Sequence, residues 1–120
     1  MKEKKLINSF KYALTGIKSA FKSERNMKIH ITAMILVIIL GLVLKISTSE
    51  WIVSFFCFAI VISAELFNTA IEITVDLAMP KKNEEAKRAK DIAAGGVLVC
   101  AIFSAFIGIL IFLPKIIELV

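Results

Sequence analysis

The chain has 120 residues, 58% of them hydrophobic, and a formal charge of +5, with a mean hydropathy of +0.84. Soluble domains are about 45–50% apolar, so an ordinary water-soluble fold is excluded, and disorder needs far fewer apolar residues. The length excludes two sizeable domains, and no repeat, low-complexity segment or long linker divides the chain.

The apolar residues fall into blocks that alternate with charge clusters, as a bilayer demands. Residues 1–23 are periodic rather than continuous. Leu6, Phe10, Ala13, Leu14, Ile17 and Phe21 share one helical face, with Lys4, Lys5, Lys11, Lys18 and Lys22 on the other. This predicts a basic amphipathic helix over about 4–23, suited to an anionic membrane surface. The same pattern also fits a solvated helix of a soluble bundle. A cleavable signal peptide is not expected, because no continuous apolar core is present.

The first span is expected over about 29–46, with Lys28 and Lys45 snorkelling at its ends. His30, near its start, is read as a structural or interfacial residue. A second helix is expected over 50–79, with Ser49 as N-cap, Trp51 as an interfacial anchor and Pro80 as its stop. At about 1.5 Å per residue it is roughly 45 Å long, so its last third should project beyond the hydrocarbon. A loop follows from Pro80 to Asp91. The third span, 92–113, is 22 residues without a charge, and Pro114 is expected to end it. Gly95 and Gly96 read as sites of close helix packing. Cys57 and Cys100 lie in apolar spans and read as small hydrophobes rather than a disulfide or metal pair.

Thirteen of the fifteen Lys and Arg residues lie in 1–28 and 80–91. The positive-inside rule therefore puts the N-terminus and the 80–91 loop in the cytoplasm and the C-terminus outside. The whole chain, 1–120, reads as one all-α integral membrane domain. Nucleic acid is not an expected partner, since no such motif or basic-aromatic interleaving is present.

The second helix carries the chemistry. At about 100° per residue, Glu65, Asn68, Glu72 and Asp76 fall within roughly 80° of one face. An ionisable group near the centre of a span costs on the order of 2.5–3.5 kcal/mol, so three carboxylates on one face need divalent cations, a cationic partner or protonation. Glu65 falls near the inner hydrocarbon boundary, and Glu72 and Asp76 fall further inward. Glu24, Lys90 and Asp91 belong to the same layer, with Arg88 nearby. Carboxylates with a lysine suit phosphoryl transfer: one or two carboxylates and the substrate phosphates hold Mg²⁺, the lysine neutralises phosphoryl charge, and a carboxylate accepts the hydroxyl proton. No Walker A motif or kinase glycine-rich loop is present. From spacing alone, a structural polar seam, a proton or ion pathway and a catalytic site all remain open.

The segment Glu65-Leu66-Phe67-Asn68-Thr69-Ala70-Ile71-Glu72-Ile73-Thr74-Val75-Asp76 resembles the signature of the prokaryotic diacylglycerol kinase family, which includes the undecaprenol kinases of Gram-positive bacteria. Every fixed polar position matches; Phe67 stands where an aliphatic residue is usual. Arg88-Ala89-Lys90-Asp91, followed by the small residues Ala93 to Gly96, is a second match. The resemblance covers nearly the whole chain and implies a homotrimer of three-span subunits, each with a surface helix, with active sites between protomers. It implies an ATP- and Mg²⁺-dependent lipid kinase. Glu65 would be the catalytic base, Glu24 and Glu72 the metal-holding carboxylates, and Lys90, Asp91 and Tyr12 contacts to the nucleotide. Asn68 and Asp76 would support the site. The segment Asn8 to Ala13 and the Lys-, Ile- and Asn-rich composition resemble the undecaprenol kinase branch. The expected lipid is undecaprenol, with diacylglycerol as the alternative; a non-enzymatic assembly or ion-pathway protein is the alternative of another class. The expected location is the bacterial plasma membrane.

Overall fold

The computed structural model describes residues 2–120. They form four helices: α1 (Lys2–Ser23), α2 (Arg25–Leu44), α3 (Thr48–Ala78) and α4 (Glu84–Leu119). The last three are each long and apolar enough to cross a membrane.

Glu24 alone separates α1 from α2. Its backbone is extended (φ −104°, ψ 118°), and its N–H still bonds the Ala20 carbonyl at 3.0 Å. One residue thus turns the chain, and α1 folds back to touch both α2 and α3. At the far end of α2, Lys45 adopts a left-handed conformation (φ 53°) and its N–H caps the Gly41 carbonyl.

Three boundaries differ from expectation. The N-cap of α3 is Ser47, not Ser49. The Ser47 side chain accepts from Glu50 N at 3.2 Å, and Glu50 Oε1 accepts from Ser47 N at 2.9 Å. Only Ser47 has an acid three residues on, so only Ser47 satisfies two orphan donors reciprocally. The 80–91 loop is mostly helix. Asn83 Oδ1 accepts from Glu85 N and Ala86 N at 2.9 and 3.0 Å, and Glu84 and Glu85 complement the helix dipole. The actual connection is residues 79–83.

Pro114 does not end the last helix, which runs on to Leu119. The proline removes the N–H that would bond the Leu110 carbonyl, but the next residue is held from outside. Lys115 Nζ lies 3.1 Å from Glu50 Oε1, both half-buried, tying the end of α4 to the start of α3.

The molecule is a slab of 55 × 45 × 21 Å, about two helix diameters thick. Helix α3 packs chiefly against α4. Its burial is inverted relative to a soluble protein. Most large apolar side chains face outward, while Ser54, Glu65, Asn68 and Thr69 are buried. Lipid hydrocarbon leaves no drive to bury leucine, so helices associate through small and polar groups. Gly95 and Gly96 do not serve packing within the chain, since a Cβ at either would meet nothing within 4 Å. Cys57 and Cys100 are free and half-buried.

Candidate active site

The inner half of α3 carries its polar groups in a row. Glu65 is the deepest, 1% exposed. Its Oε2 makes no hydrogen bond and lies 3.6 Å from His30 Nε2 on α2, an ion-pair distance. The charges that act on Glu65 come from His30, Glu24 and Glu72, so the α1–α2 corner and α3 meet in one layer. One turn further inward, Asn68 Nδ2 donates to Glu72 Oε1 at 3.2 Å. Asn68 Oδ1 and Thr69 Oγ1 are buried without a partner. Orphaned buried polar atoms are rare in native proteins and call for an explanation such as a catalytic role.

At the inner end, Lys90 on α4 donates to Asp76 Oδ1 at 2.7 Å. Glu72 and Asp91 also act on the Lys90 charge, which links the two parts of the row. Glu72 stands about 10 Å along the helix from Glu65 and about 6 Å from Asp76.

Two hollows flank the row. A cleft of about 700 Å³ between α2, α3 and α4 reaches from His30 to Phe112 and Ile116, with apolar walls. A second hollow of about 620 Å³ lies at the α3–α4 turn, where Lys81, Lys82, Lys87 and Lys90 join Asp76, Glu84 and Asp91. The first matches a hydrocarbon chain in chemistry; the second matches a polyanion.

Not every sequence-predicted residue converges. Glu65, Asn68, Glu72 and Asp76 form the row, Lys90 pairs with its last member, and Glu24 stands at the α1–α2 turn. Asp91 turns away to Lys87, 2.7 Å distant on its own helix. Tyr12 stands on α1, 73% exposed, and Arg88 pairs with Glu85 at 3.6 Å on the outer face of α4. Among the described residues, no group of three or more His, Cys, Asp or Glu side chains converges as a metal cluster. His30, read from the sequence as structural or interfacial, faces Glu65, and Thr69 is buried beside Asn68. A lone imidazole inside an apolar span was the available signal, since intramembrane ionisable groups are functional by default.

Residues 11–112 match the family model of prokaryotic diacylglycerol kinase. The chain belongs to that family. It is 45% identical to an undecaprenol kinase of Bacillus subtilis over 92% of this chain and 90% of the relative. A diacylglycerol kinase of Haemophilus influenzae is 35% identical over 89% of this chain and 92% of its own length. A diacylglycerol kinase of Synechocystis is 37% identical over 95% of this chain and 66% of the relative. Family membership makes the protein an enzyme, a membrane lipid kinase, rather than a non-enzymatic assembly or ion-pathway protein. A lipid kinase of this family with three membrane-crossing helices belongs in the plasma membrane.

Proposed function

We propose that the protein transfers the γ-phosphoryl group of ATP, with Mg²⁺, to the hydroxyl of undecaprenol, giving undecaprenyl phosphate and ADP. What supports this is the order of groups along α3. A buried carboxylate, Glu65, adjoins an apolar cleft through His30 and is followed inward by Glu72 and a lysine-lined hollow. The lipid hydroxyl comes from the membrane side and loses its proton to Glu65 as its oxygen bonds to the γ-phosphorus. The bond from that phosphorus to the β–γ bridging oxygen breaks, and its electron pair stays on ADP. Lys90, oriented by Asp76, contacts the nucleotide phosphates. Asp91 lies beside it, Asn68 holds Glu72, and Tyr12 contacts the nucleotide from α1.

Glu24 and Glu72 are the residues that would hold Mg²⁺. Neither is ion-paired among the described residues, and Mg²⁺ commonly takes only one or two carboxylates beside phosphates and water. When bound, the ion neutralises charge on the β- and γ-phosphates.

The same reading makes α1 a surface helix, puts the N-terminus and residues 80–91 in the cytoplasm and the C-terminus outside, and makes the working enzyme a homotrimer with sites between protomers. The outward apolar faces and the unpacked Gly95 and Gly96 support an assembly.

The choice of lipid follows the undecaprenol kinase of Bacillus subtilis, the relative of highest identity among those above. Diacylglycerol is the second reading, favoured by the names of the other two. The test is lipid-dependent ADP release in mixed micelles with Mg-ATP. Undecaprenol should give the higher kcat/KM; a higher value with diacylglycerol replaces the first reading by the second. Glu65→Gln should lower kcat by at least about 10²-fold with assembly intact. Near-normal turnover in that variant removes Glu65 as the base.

A further inference from the structure

The apolar cleft has one basic group in its wall, His30. Glu65 stands outside that wall, behind the imidazole. Its Oε2 is sealed and hydrogen-bonds to nothing, and the group that faces it is His30 Nε2 at 3.6 Å. The other charges that act on Glu65, from Glu24 and Glu72, have the same sign as its own. No Lys or Arg reaches ion-pair distance of Glu65 among the described residues. A buried carboxylate surrounded by carboxylates is costly unless an opposite charge or hydrogen-bond donor meets it. A base must also be held within about 0.5 Å of its productive position by a supporting partner.

We propose that His30 is the positioning residue for Glu65: its imidazole is the group that Oε2 faces, and it holds the carboxylate beside the lipid cleft. His30 is 18% exposed against 1% for Glu65, and it is the member of the pair that lines the cleft. The inference rests on the reading of Glu65 as the base. It concerns a group that the α3 stripe does not contain, on a different helix and 35 positions away in the chain.

The test is a double-mutant cycle on the full-length protein in mixed micelles, with Mg-ATP and undecaprenol. His30→Gln removes the imidazole and keeps a polar side chain of similar reach. It should lower kcat by about tenfold or more and leave the KM for Mg-ATP within about twofold, because no residue of α2 lines the lysine-bearing hollow. Glu65→Gln should lower kcat further, and adding His30→Gln to it should cost nothing more, as for two residues acting as a unit. His30→Lys, which gives Oε2 a cationic donor to face, should recover part of the lost turnover. Elution of each variant at wild-type size is the check on assembly. A normal kcat in His30→Gln with Glu65→Gln inactive overturns this inference alone; so does a loss that multiplies with that of Glu65→Gln, or no recovery with lysine. Normal turnover in Glu65→Gln overturns the base assignment, and the role of His30 with it.

Discussion

At the inner end of α3, the Lys90 ammonium lies 2.7 Å from Asp76 Oδ1, with the two side chains 37% and 64% exposed. A pair so accessible to water adds little stability; its effect is on direction. Without Asp76, the flexible lysine stem samples many rotamers and meets phosphate less often. Asp76→Asn should therefore raise the KM for Mg-ATP about fivefold and change kcat by less than about twofold. Steady-state kinetics with varied Mg-ATP checks this; an unchanged KM means that Asp76 does not orient Lys90. Glu72→Ala should shift or abolish the Mg²⁺ dependence, and an unchanged metal titration moves the metal site elsewhere. Adjacent residues in the chain part company here. Lys90 and Asp91 read as one motif, yet Lys90 reaches across to α3 while Asp91 pairs back to Lys87. Neighbours on a helix point about 100° apart, so adjacency in the chain is no guide to a shared partner.

Among the elements, the turn between α2 and α3 depends most on a single atom's absence. A Cβ on Gly41 would lie 2.8 Å from Trp51 Cη2 and 3.1 Å from Ile46 Cδ1. The indole has little room to retreat, since it stacks on Phe55 with centroids 5.6 Å apart. Gly41→Ala should cost about 1 kcal/mol or more through overpacking, seen as a lower Tm in detergent. Trp51→Phe in the same chain should recover most of the loss. An unchanged Tm in Gly41→Ala means that the ring swings away freely. Trp51 reads from sequence as a membrane anchor, whereas the structure also makes it the lid on Gly41. The Ser47–Glu50 capping box, by contrast, was legible as S-x-x-E. The start of α4 was legible too, in Asn83 followed by two acids. Hydropathy marks neither start, because hydrogen bonding bounds a helix and lipid contact does not.

As a whole molecule, one chain leaves its chemistry open to the surroundings. Leu36, Phe56, Phe103 and Leu110 are each more than 60% exposed, which only hydrocarbon or other copies can cover. A trimer should have a protein mass three times the 13.3 kDa of one chain, measured by light scattering with the detergent contribution subtracted. A monomer that retains full turnover would remove the shared-site reading.

The sequence by itself determined the number and order of the apolar helices and the polar stripe, because spans and stripes are written in local periodicity and charge. The family was legible for the same reason: its signature is one continuous stretch of α3. The tertiary structure decided which groups meet. His30 comes to Glu65 and Lys90 to Asp76 through the relative depth and rotation of helices, and α4 continues past Pro114, where Lys115 pairs with Glu50. A helical repeat records which face a residue occupies but not which neighbour stands opposite it, so those pairings depend on packing.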